Sequence, residues 1–201
     1  RRKGAKQQRQ CTATTTVVSW YSFRSMRQRT AGIVLHPTSL PGRYGIGDLG
    51  DEAFSFVDFL VEAKLGIWQV LPLGPTGYGD SPYQCFSAFA GNPNLISPER
   101  LVRDGLLTRK DLAHMPHFPS DRVDFGPVID CKKALVLRAY DHFREGAAPE
   151  LVAPFASFCS ENAGWLDIYA AFQVLKDTRD NARWDAWDPE LAACHPKAVA
   201  R

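Results

Sequence analysis

Apolar and polar positions first fall into order after Thr30. Ala31–His36 is a short apolar run closed by Pro37, a pattern that predicts a buried strand. From Asp51, which can cap a helix, Phe54, Val57, Leu60, Val61 and Leu65 recur at helical spacing, and Gly66 supplies a stop. Ile67–Leu73 is a second apolar run and a second predicted buried strand. Strand, amphipathic helix and strand within about 40 residues predict a βαβ unit with parallel strands and a right-handed crossover. Active sites of such folds gather where strands end and loops begin. Here those are the segment from His36 and the long loop Gly74–Asn94.

The pattern downstream is helical. Ser97 followed by Pro98 predicts an N-cap with proline at the first helical position, and Gly105 ends that short helix. Thr108 and Asp111 have capping-box spacing. Residues 128–145, 149–160 and 163–178 carry helical periodicity, whereas Leu191–Arg201 gives no firm signal, and no internal repeat is visible. The chain divides into a basic head (1–29), a βαβ unit with its loop (30–96), a helical subdomain (97–190) and an unassigned tail (191–201).

Charge changes the reading of the head. No acid precedes Asp48, yet nine bases do, and the remaining 15 bases meet all 22 acids, leaving about −7 on the rest of the chain. A body of that sign repels phosphate backbones, so nucleic acid is not an expected partner. Residues 1–29, rich in Arg, Gln, Thr and Ser, have the composition of a transit segment; a disordered tail or an upstream translation artefact fits equally well. The first option places the protein in plastids, the second in the cytoplasm. No apolar run approaches the roughly 20 residues that span a bilayer, so no membrane partner is expected. The five cysteines are scattered without a C-x-x-C pair, which argues against a disulfide framework or a zinc site and fits a reducing compartment.

Candidate chemistry concentrates in residues 73–93, LGPTGYGDSPYQCFSAFAGNP. Gly74, Gly77, Gly79 and Gly91 allow an irregular loop of fixed shape. It carries Tyr78, Asp80, Ser81, Tyr83 and Gln84, flat aromatic faces beside hydrogen-bonding groups. A pyranose needs that mixture, having an apolar C–H face and a rim of hydroxyls. A surface loop with buried tyrosines and an Asp-Ser turn would read the same.

This segment, with AGIVLHPTSLPG (31–42), YGIGDLG (44–50) and WQVLPL (68–73), closely resembles the 4-α-glucanotransferase (amylomaltase, disproportionating enzyme) family. Weaker likeness continues through residues 95–97, 104–107, 123–125 and the Trp184/Trp187 pair. The resemblance implies an α/β fold, here part of a (β/α)8 barrel of the amylase-like type with a helix-rich inserted subdomain. It also implies retaining transfer of α-1,4-glucan segments between maltodextrins, through a carboxylate nucleophile and a carboxylic acid/base. It implies no cofactor or metal. The family's nucleophilic Asp, acid/base Glu and stabilising Asp have no matching positions in this chain, so no catalytic residue is assigned. By the same resemblance Tyr83 packs beneath the sugar under attack, Tyr78 and Ser81 line neighbouring subsites, and Asp80 holds the loop. A catalytically inactive glucan-binding protein and an α-amylase-like hydrolase are the alternatives.

Other candidates are weighed on their surroundings. Asp141 precedes His-Phe-Arg as the family's nucleophile does, but Ala134, Leu135, Leu137, Ala139, Tyr140 and Phe143 form a helical pattern, so Asp141 reads as an exposed helical acid. His36 anchors the Pro37 turn or donates to substrate. Trp68 reads as core, Trp165, Trp184 and Trp187 as subdomain packing, and Asp48 and Asp51 as turn and cap residues. With two recognisable barrel strands, the chain by itself is expected to expose strand edges and an apolar face, and to be poorly soluble or partly folded.

Overall fold

The computed structural model describes residues 29–199. The transit-or-artefact alternatives for the head therefore concern residues almost wholly outside the described part. Two strands, β1 (Gly32–Val34) and β2 (Ile67–Gln69), pair in parallel with Ile33 opposite Trp68. Helix α1 (Asp51–Glu62) connects them. Gly32 is required here, because a Cβ at that position would lie 2.4 Å from the Ile67 carbonyl oxygen. The pairing continues on both sides through Gly66 N–H to Ala31 O and Leu35 N–H to Gln69 O, each 3.0 Å.

Both strands are exposed rather than buried, contrary to the sequence expectation. Ile33 and Trp68 face α1, where Phe56 meets the Trp68 indole edge-on at 4.9 Å. Val34 and Ile67 point the other way and are 60% and 46% exposed, since no described element covers that face. Helix α1 is turned in the same manner. It buries Ala53 and Leu60, while Phe54, Val57 and Val61 of the anticipated stripe are exposed. Its end differs too: Ala63 caps it and Lys64 takes the left-handed turn (φ 57°), so Gly66 is not the stop.

Six further stretches of described α-helix follow: α2 (Pro98–Arg103), α3 (Phe125–Arg144), α4 (Val152–Glu161), α5 (Leu166–Asp177) and, near the end, the single turns α6 (Pro189–Ala192) and α7 (Pro196–Val199). Ser97 and Pro98 open α2 as anticipated, and Gly105 (φ 73°) follows it. Thr108 and Asp111 make half of a capping box. The Asp111 carboxylate accepts from the Thr108 amide (2.8 Å) and hydroxyl (2.7 Å), but only turns follow, not a helix.

The core lies between α3 and the loop after β1. Tyr44 packs with Leu107, Leu112, Leu135 and Ala139, and Ile46 with Phe118 and Val128. Burying a side chain of this size contributes about 1.5–3 kcal/mol, so this seam, not the two-stranded sheet, carries most of the apolar stabilisation. It joins residues 36–50 to residues 105–139 and fixes one loop edge of the βαβ unit against the helices.

Candidate glucan-binding loop

Residues 74–92 leave the extended segment after β2 and return to it at Leu73. Asn92 N–H donates to Leu73 O at 2.8 Å, and Phe86 N–H donates to Pro75 O at 3.3 Å, closing the neck. Two glycines permit that closure. A Cβ on Gly74 would sit 2.9 Å from Cys85 Sγ, and one on Gly77 would sit 2.7 Å from Gln84 O. Beyond the neck, Tyr78–Asp80 form a 3-10 turn with Gly79 and Asp80 both left-handed, at φ 67° and 55°. Gln84 N–H then donates to Ser81 O at 3.1 Å, and Cys85 S–H to Pro82 O at 2.8 Å.

These bonds bring Asp80, Ser81 and Tyr83 onto one short tip. Tyr83 is 71% exposed, so its ring is presented, not packed. The Ser81 hydroxyl oxygen accepts from Tyr83 N–H at 3.3 Å, fixing the turn on which the ring stands. Asp80 contributes its left-handed backbone and an N–H bonded to Gly77 O at 3.2 Å. A cleft of about 820 Å3 lies elsewhere, between residues 38–46 and 119–125, and none of residues 78–84 lines it. The tip stands on an open surface.

The loop feet are tied into the fold. His36, buried just past β1, holds Thr38 Oγ1 at 2.7 Å on Nδ1 within its own turn, and its Nε2–H donates to Pro72 O at 3.3 Å, which ties that turn to the segment after β2. Leu49 N–H donates to Leu95 O at 2.9 Å. Below it Lys132, 1% exposed, donates to Asp48 Oδ2 and to Ile96 O, each at 2.8 Å. Asp48 Oδ1 accepts from Gly50 N–H at 3.0 Å, so one carboxylate serves the turn and the lysine. Burial pushes the Lys132 ammonium below its usual range, against the pull of Asp48. Nearby, the Tyr44 hydroxyl donates to Glu99 Oε1 at 2.6 Å. Burial and then that carboxylate raise the phenol, while the bond from Tyr44 and then Arg109 hold Glu99 low.

Aromatic side chains hold the loop's other edge. Phe86 meets Phe172 of α5 at 6.0 Å, and Phe89 stacks on Trp165 at 5.8 Å. Asp141 lies exposed on α3 between helical neighbours, and Trp187 is buried with its indole donating to Ala182 O at 3.3 Å. Among the described residues no cluster of His, Cys, Asp or Glu could hold a metal ion, and no helix is long and apolar enough to cross a membrane. Sequence reasoning passed over Lys132, Phe86 and Phe89. Lys132 had a legible signal, since it sits on the apolar face of α3 with Val128, Leu135 and Ala139.

A family model described as 4-alpha-glucanotransferase matches residues 35–201. The chain belongs to that family. It is similar to 4-alpha-glucanotransferases from Synechocystis sp., 46% identical over 86% of this chain and 34% of that protein, and from Thermus thermophilus, 48% over 85% and 33%. A chloroplastic/amyloplastic 4-alpha-glucanotransferase from Solanum tuberosum is 38% identical over 86% of this chain and 30% of its own length. Among solved structures, an amylomaltase from Streptococcus agalactiae in complex with acarbose superposes with a TM-score of 0.78 at 34% identity, covering 86% of this chain and 35% of that one. The chain thus spans about a third of the length of the relatives it matches.

Proposed function

We propose that this chain forms one wall of the glucan groove of a 4-α-glucanotransferase, with Tyr83 as the platform for a bound sugar. The observation that carries the reading is the Tyr83 ring, exposed on a loop whose tip and neck are both fixed by hydrogen bonds. Family membership supplies the chemistry, and the acarbose complex of the structural neighbour supports a carbohydrate ligand. On this reading β1, α1 and β2 are the first unit of a (β/α)8 barrel. Transfer of α-1,4-glucan segments between maltodextrins proceeds by double displacement: a carboxylate attacks the anomeric carbon, a second group protonates the departing sugar, and the 4-hydroxyl of another glucan completes the exchange. Those carboxylates lie on the portion of the family that this chain does not match. Tyr78, Ser81 and Asp80 complete the wall.

The chain is therefore expected to bind maltoheptaose, followed by calorimetric or NMR titration, without turning over maltotriose. Burying one face of the Tyr83 ring against a sugar is worth about 1.5–3 kcal/mol, so Tyr83→Ala should weaken binding by about 10–100-fold. An unchanged affinity in that variant would remove Tyr83 from the site. Glucose and lengthened maltodextrins released from maltotriose by this chain would put the catalytic carboxylates within it. The compartment follows from residues 1–29: a reporter fused behind them that enters plastids makes them a transit segment, and one that stays diffuse makes the protein cytoplasmic.

A further inference from the structure

Helix α5 and its N-cap residue meet the glucan loop through Trp165, Phe172 and Lys176. Trp165, Tyr169, Phe172 and Lys176 follow one another at intervals of four, three and four residues, which places them on one side of a helix. Phe89 stacks on the first of these at 5.8 Å and an interplanar angle of 26°, and Phe86 packs on the third at 6.0 Å. The Lys176 ammonium lies 4.9 Å from the centre of the Phe86 ring. That grip has backing of its own. Phe172 leans on buried Trp187 at 5.6 Å, and Lys176, also buried, is held by donating to Asn181 O at 2.8 Å.

Phe86 stands three residues from Tyr83, and the bonds from Gln84 to Ser81 and from Cys85 to Pro82 leave little slack between them. We infer that α5 is a positioning element for the sugar platform: Phe172 and Lys176, gripping Phe86, set where the Tyr83 ring stands and thereby the glucan affinity, without touching the sugar. This rests on the glucan reading of the loop. A helix about 90 residues downstream of the loop would then govern binding through packing alone.

The test is a double-mutant cycle on the full chain, read as maltoheptaose affinity by NMR titration. Phe172→Leu keeps α5 apolar but removes the ring contact, and should weaken binding by about three- to tenfold. In a Tyr83→Ala background the same change should have no further effect, since the ring it positions is gone. Equal losses in both backgrounds, or a change under twofold in the first, overturn the inference. If Phe172→Leu does not fold, Lys176→Met replaces it in the same cycle with the same criteria. If the unmutated chain binds no maltoheptaose, the glucan reading fails and the grip is judged by hydrogen exchange. Faster exchange across residues 77–89 with unchanged α3 protection supports it, and unchanged loop protection refutes it.

Discussion

Replacing Lys132 with methionine measures the clamp that joins α3 to both loops of the βαβ unit. Methionine keeps most of the length of the lysine stem, so the apolar packing on α3 is largely preserved. What disappears is the ammonium and its two 2.8 Å bonds. The Asp48 carboxylate, whose side chain is only 13% exposed, would keep its charge with Gly50 N–H as remaining partner. The Ile96 carbonyl would lose its lysine donor. Removing one member of a buried pair typically costs about 3–5 kcal/mol, of which an orphaned carbonyl accounts for about 1–3. Against a total stability of about 5–15 kcal/mol that is a large share. Urea unfolding at low protein concentration, followed by far-UV circular dichroism, should show the midpoint falling by about 1–3 M if the slope is near 2 kcal/mol/M. Adding Asp48→Asn should recover part of the loss, because the amide oxygen still accepts from Gly50 N–H and no buried charge is left unpaired. A loss below about 1 kcal/mol in the single variant, or a double variant less stable than the single, would refute the assignment of this pair as a buried clamp.

Two further outcomes follow from local geometry. Asp111 is held down to about 2 by the Thr108 hydroxyl, then the Thr108 amide, then Arg138. Its folded pKa is depressed from 3.8, so its stabilisation is complete above about pH 4 and is lost as pH falls towards 2; Asp111→Asn should flatten that part of a melting-temperature-against-pH curve. Gly47→Ala would force a Cβ to within 2.1 Å of Pro37 O and 2.6 Å of Leu40 O. Such overpacking costs about 1–3 kcal/mol, readable as a lowered urea midpoint, and an unchanged midpoint would mean that the turn yields freely.

Much of the fold could be read from local pattern. The two strands, α1, and the helices near 128–145, 149–160 and 163–178 were all legible, because periodicity and stop signals act over a few residues. Facing was harder. Phe54, Val57 and Val61 look like an inward stripe, yet Ala53 and Leu60 are the buried positions and Phe56 is the residue that meets Trp68 of the sheet. Phe54 instead carries the Arg100 guanidinium at 4.4 Å. The stop at Lys64 was hidden because a left-handed angle is uncommon for lysine, so the residue type carries no signal of it. In the loop, resemblance supplied Tyr83 and its neighbours, while the packing of Phe86 and Phe89 on α5 depends on residues far apart in sequence, which no local pattern contains.

The Lys132–Asp48 bond spans 84 residues of chain. During synthesis at about 5–20 residues per second, Asp48 precedes its lysine by about 4–17 s. Through that interval the carboxylate has only water and its own turn as partners, and the segment around Ile96 lacks its anchor. The turn at residues 48–50 is thus made before its anchor and fixed only once α3 has arrived to close it from behind.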